Sequence, residues 1–174
     1  MSVFLQPIYT QTVGSGGAAS VTFNSIPQTF TDLKVVVSAR STNASVGASL
    51  YYTINGNGTN IYSETRLDGN GASATSARET IRGSAVSLNV IPGANATSNT
   101  FGNLEIYIPN YTSSNFKSVI MDGVSENNAT TAYQELGAQL IQLTSAISSI
   151  TLSPDSNFAQ YTTITIYGIL RQGI

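Results

Sequence analysis

A chain of 174 residues can bury the core of one domain without covalent staples, and with cysteine absent it has none. Charged residues make up only 9% of it, against about 25% in an average soluble protein. The hydrophobic fraction of 41% and a net charge of −2 nevertheless exclude the aliphatic-poor, charge-rich composition of a disordered chain.

Taken from the N-terminus, Met1 to Tyr9 lacks the basic leader and apolar run of a signal peptide. The chain is therefore expected to be soluble as synthesised and to encode no secretion of its own. No stretch approaches the about 20 apolar residues of a bilayer span, so no membrane is expected. Period-two alternation, the mark of a half-buried strand, then recurs throughout. Val21 and Phe23 alternate with Thr22 and Asn24, while Leu33, Val35, Val37 and Ala39 oppose Lys34, Val36, Ser38 and Arg40. Leu50, Tyr52 and Ile54 follow the rule, as do Leu104, Ile106 and Ile108, and later Ile164, Ile166 and Gly168. Turn chemistry separates these runs at Gly14-Ser15-Gly16-Gly17, Asn55-Gly56-Asn57-Gly58, Asp68-Gly69-Asn70-Gly71 and Pro92-Gly93.

Strands are expected near residues 3–12, 19–24, 32–40, 48–55, 76–82, 102–108, 117–125, 132–142, 147–152 and 162–170. A turn or two of helix is admitted at 61–67, and 84–91 is read as helix or strand. Residues 57–77 are the least patterned and are expected to form a long excursion carrying contacts outside the core. The fold class is all-β, a single domain over 1–174: an antiparallel, jelly-roll-like β-sandwich of about 8–10 strands in two four-stranded sheets. Several strands are apolar on both faces, with Val36 between Val35 and Val37, and Ile120 and Val124 opposing Val119 and Met121. Such strands need cover from a second layer or a neighbouring subunit, so an oligomer, taken as a homotrimer, is expected.

Histidine is absent along with cysteine, which removes the usual nucleophilic triads and zinc sites. The carboxylate pairs Glu64/Asp68 and Asp122/Glu126 share a face through strand periodicity alone, and the plainer reading is solvated surface. The Asp68-Gly69-Asn70-Gly71 turn resembles the start of a calcium loop, but Ala72 stands where a ligand belongs and Ser73 where glycine is required. Gly14 to Ala19 matches a dinucleotide pattern only formally, because a strand and not a helix follows. The sequons at Asn43, Asn57, Asn95, Asn110 and Asn128 occur at about the chance frequency for so Asn-, Ser- and Thr-rich a chain. The seven Lys and Arg are scattered, which argues against nucleic acid. No catalytic residue, metal ligand or cofactor is assigned, and the expectation is a non-enzyme. Among the tyrosines, Tyr62, Tyr111 and Tyr133 are candidate interface or glycan contacts, with cross-strand packing as the plainer alternative.

The run Gly17-Ala18-Ala19-Ser20-Val21-Thr22-Phe23 is followed by Ile26-Pro27-Gln28-Thr29-Phe30-Thr31-Asp32-Leu33 and Val35-Val36-Val37-Ser38-Ala39-Arg40. With Ile108-Pro109-Asn110-Tyr111 and Thr165-Ile166-Tyr167-Gly168-Ile169, these motifs resemble a widespread group of small virion structural proteins of tailed bacteriophages. The likeness runs from about residue 8 to 170. It implies a virion accessory protein assembled in the host cytoplasm, on the capsid exterior or on the tail. As a capsid decoration (cement) protein its partner would be the major capsid protein; as a tail-fibre or adhesin domain, tail proteins and a host glycan. The motif also has a physical reading in which Pro27, Phe30, Asp32 and Arg40 determine the fold. Pro27 stands at a corner between strands, Phe30 caps the core, Asp32 accepts backbone amides in the turn, and Arg40 pairs with a carboxylate.

Overall fold

The computed structural model describes residues 3–128 and 131–171. Its first six strands are β1 (Val3–Thr12), β2 (Val21–Phe23), β3 (Asp32–Ala39), β4 (Gly47–Ile54), β5 (Tyr62–Gly69) and β6 (Ala74–Arg82). β7 (Ala85–Pro92), β8 (Gly102–Ile108), β9 (Lys117–Ser125), β10 (Tyr133–Ile141), β11 (Ile150–Pro154) and β12 (Thr163–Arg171) complete the set. There is no helix among the described residues. The strands form two antiparallel sheets, one of eight in the order β1-β12-β3-β8-β9-β10-β5-β6 and one of four in the order β2-β11-β4-β7.

The all-β sandwich class is therefore as expected, but its division is eight and four, not four and four. The segment admitted as a helix, 61–67, falls in strand β5, and 84–91, read as helix or strand, falls in strand β7. Residues 57–77 likewise form no excursion: β5 and the start of β6 lie in the large sheet, joined by a tight tip at Asn70 to Ser73. β5 was obscure in the sequence because its buried positions carry Tyr62, Glu64 and Arg66, so the alternation of burial is not an alternation of hydrophobicity.

Core side chains come from the facing surfaces of both sheets. Leu33, Val35 and Val37 of β3 and Leu104, Ile106 and Ile108 of β8 are essentially inaccessible, as are Leu50, Ile54, Ile91, Ile150 and Leu152 of the smaller sheet. Asn55 and Gly56 both adopt left-handed backbone at the end of β4, which Asn and Gly tolerate. Asn55 Oδ1 accepts the amides of Ser148 and Ser149 at 2.8 and 3.0 Å, locking this turn to the segment that leads into β11.

Gly168 on β12 has a packing reason. A Cβ built there would lie 2.3–2.5 Å from three atoms of the Phe30 ring, so the ring rests directly on the backbone. Gly168→Ala is expected to cost about 1–3 kcal/mol by overpacking, read as a lower urea midpoint. An unchanged midpoint would mean that the half-buried ring simply swings away.

The larger sheet overhangs the smaller one. β7 lies against β8, β9 and β10 and only lightly against β5. Beyond it, on β6, Ala77 and Glu79 are half-buried and Thr75 is exposed. This uncovered margin is where polar side chains occupy the inner face.

Candidate functional site

Phe30 and Asp32 flank the corner into β3. Asp32 is inaccessible, with Oδ2 accepting the Tyr107 hydroxyl at 2.8 Å and Oδ1 the Asn110 amide at 2.9 Å. Pro27 lies between β2 and β3, and its carbonyl accepts the hydroxyl of Tyr111. Arg40 does not meet a carboxylate. Its guanidinium instead donates to backbone carbonyls of the loop after β7: Thr97 at 2.8 Å, Thr100 and Ala96 at 3.0 Å, and Ala94 at 3.3 Å. A planar fork of donors suits such a loop because the carbonyls converge from several directions.

Two of the three candidate contact tyrosines are corrected to core residues. Tyr62 is 2% exposed, and its hydroxyl accepts the Ile54 amide and donates to the Asn57 carbonyl. Tyr111 is fully buried with its hydroxyl on Pro27. Neither can touch a partner. Tyr133 is half-buried and lines a cleft.

That cleft has a volume of about 230 Å³ and lies where the β5–β6 tip, β7 and the start of β10 meet. Arg66, Asp68, Asn70, Asn89, Tyr133 and Gln134 are among its walls. Behind it, alternate residues of β5 place Glu64, Arg66 and Asp68 on the inner face. Arg66 Nε holds Asp68 Oδ2 at 3.0 Å, and its Nη1 is 3.9 Å from Glu64 Oε2. Both residues are more than nine-tenths buried, with the Gln139 side chain as the hydrogen-bonding group beside the Glu64 carboxylate. Burial pushes the Glu64 carboxyl up to about 7, while Arg66 and Arg82 hold it down. Gln139, opposite Glu64 in the β5–β10 register, accepts the buried Tyr52 hydroxyl.

The pair Glu64/Asp68 is thus separated by a guanidinium that pairs closely with Asp68 alone, and not poised as an acid and a base across an open groove. Asp122 is exposed on the outer face, and Glu126 caps its own turn by accepting the Asn127 and Asn128 amides at 3.0 and 2.8 Å. No group of three or more acidic side chains that could hold a metal ion occurs among the described residues.

The outer face of the large sheet carries an apolar strip. Leu67 of β5 and Leu136 of β10 are direct cross-strand neighbours, 59% and 48% exposed. On β9, Ile120 and Val124 continue it opposite Ala138 and Gln134. A sequence reading placed Ile120 and Val124 on the second face of β9; Leu67 and Leu136 join them only through the pairing of β5 with β10.

No family model matches this chain, and no curated protein and no solved structure is significantly similar to it.

Proposed function

We propose that the protein is a non-enzymatic structural protein of a tailed-phage virion, a decoration protein that binds the outside of the shell as a homotrimer, with the major capsid protein as its partner. The observation that carries this reading is the strip Leu67, Leu136, Ile120 and Val124 on three adjacent strands. Single exposed apolar residues are ordinary, but a contiguous patch marks an interaction surface. The occupant is a second copy of the chain. Asp122 lies within the strip, directly opposite Leu136 on β10 and Glu105 on β8, which Lys34 pairs at 2.8 Å; the contacts of a trimer are heterologous and so do not set this acidic centre against itself. Packing of copies also suits a chain with 9% charged residues.

The phage assignment rests on the motif resemblance around Pro27 to Arg40 and at Thr165 to Ile169. A decoration protein that binds the assembled shell and not free subunits adds its binding energy to shell cohesion by linkage, and multiple copies sum weak contacts. The non-enzymatic reading rests on the lack of histidine and cysteine and on the Arg66 guanidinium that stands between Glu64 and Asp68.

Two measurements test this. Light scattering should give an oligomer for the natural chain and a monomer for Leu136→Lys combined with Ile120→Lys; a natural chain that stays monomeric at high concentration overturns the self-association. Quantifying the protein in purified particles should give enough copies to cover the shell. A few copies at one vertex would instead place it on the tail, and none would overturn the virion reading.

A further inference from the structure

We infer that the cleft between the β5–β6 tip, β7 and β10 is a binding site for a neutral saccharide, one pyranose ring in size. The inference goes beyond the virion reading and is tested on the purified protein, so the two can fail separately.

The backbone is shaped for this cleft. Ala48 pairs with Ile91, but Leu50 pairs with Ser87, so β7 bulges opposite Ser49. At the bulge Asn89 adopts a left-handed backbone, φ 59°, a conformation that Asn tolerates better than most residues. Bulges re-aim side chains beside functional sites, and this one brings Asn89 to the cleft wall. Gly47 completes the arrangement. A Cβ there would lie 2.8 Å from Tyr133 Cε2 and 3.0 Å from Asn89 Cβ, so only glycine lets the ring and the amide sit side by side. The opposite wall is equally constrained. Asn70 Oδ1 accepts the amides of Ala72 and Ser73 at 3.0 and 2.8 Å, which sets the tip, and Asp68 is clamped by Arg66.

The chemistry of the walls selects the ligand class. Each sugar hydroxyl both donates and accepts, and this cleft offers amides at Asn89 and Gln134, a carboxylate at Asp68 that keeps 27% of its side chain exposed, and hydroxyls at Ser73 and Thr75. Tyr133 supplies an amphipathic ring against which the C–H face of a pyranose can lie. The single Arg66 and single Asp68 pair with each other, so the lining has no net charge to attract an anion or a cation. A volume of about 230 Å³ is below the about 300–1,000 Å³ of sites for drug-sized molecules, which limits it to one ring.

The test is a panel of methyl glycosides of neutral hexoses and N-acetylhexosamines, screened by saturation-transfer NMR and titrated against the natural chain. At least one should bind, with transfer strongest to its ring C–H protons. Asn89→Gly keeps the left-handed backbone and removes the amide; it should weaken binding about tenfold or more with an unchanged unfolding midpoint. Tyr133→Ala should abolish binding. The exposed Tyr161 lies at a different depression with Phe101 and Asn99, and Tyr161→Ala should leave binding intact. The inference is overturned if no glycoside binds, if binding survives in both Asn89→Gly and Tyr133→Ala, or if it is Tyr161→Ala that removes it.

Discussion

Lys117→Met should lower stability by about 1–3 kcal/mol through the loss of four charge-assisted hydrogen bonds at the loop end of the sandwich. Lys117 opens β9, is 1% exposed and has no carboxylate within ion-pair distance among the described residues. Its ammonium donates to the carbonyls of Ser113, Asn115, Leu143 and Ser145 at 2.7, 2.9, 3.0 and 2.9 Å. It therefore joins the loop before β9 to the loop after β10, as a bound cation would. Burial pulls its pKa below the ordinary value; the four carbonyl dipoles oppose that pull by favouring the charged form. Methionine fills a similar volume but takes the ammonium donor from four carbonyls, those of the half-buried Ser113 and Leu143 and the exposed Asn115 and Ser145. Urea unfolding at low and at high salt checks the account. Because the cage is buried and built of backbone dipoles, the loss should be nearly the same at both ionic strengths. A loss of less than about 1 kcal/mol would show that water replaces the ammonium without penalty.

Glu64→Gln should do the opposite and stabilise the protein at alkaline pH. The folded-state pKa of Glu64 is raised from 4.5 to about 7 by burial, against the pull of Arg66 and Arg82. A raised carboxyl pKa means that the folded chain holds a proton the unfolded chain has released. Its favourable contribution is thus complete below pH 4.5 and is lost as pH rises through about 7. The full shift corresponds to about 3 kcal/mol. Glutamine has no charge to bury, so the variant should match the natural chain near pH 4.5 and exceed it by about 1–3 kcal/mol at pH 8. Unfolding by urea at the two pH values measures the difference directly. An equal gap at both pH values would mean that the Glu64 carboxylate is fully compensated in the fold by groups such as Arg66.

Legibility in the sequence followed the range of the interaction concerned. β3, β8, β9 and β12 stood out because their buried faces are aliphatic, and a period of two is a property of neighbouring residues. The Asp68-Gly69-Asn70-Gly71 turn was equally plain, and it is the tip of the β5–β6 hairpin. β5 and β7 were obscured for different reasons. The inner face of β5 carries Glu64 and Arg66 at the margin of the smaller sheet, where β7 lies against it only lightly, and β7 breaks its alternation at the Asn89 bulge. Lys117 gave no signal at all. Its neighbours Leu143 and Ser145 are distant in the chain, and carbonyl oxygens leave no mark on residue type.

The cleft was visible only in fragments. Tyr133 was singled out as an aromatic, and Asp68 and Asn70 as turn residues, but nothing local joined them to Asn89 or to Arg66. Tyr62 and Tyr111 read the same way as Tyr133 until packing placed their rings in the core.

By itself, then, the sequence determined the all-β class, most strand positions and the absence of histidine and thiol chemistry, since these depend on composition and on neighbours along the chain. Tertiary structure decided the division into eight and four strands, which polar side chains face inward, and which exposed apolar residues form one strip. Each of those depends on strand pairings such as β5 with β10 or β4 with β7, and pairing between distant segments is set by the packing of the whole.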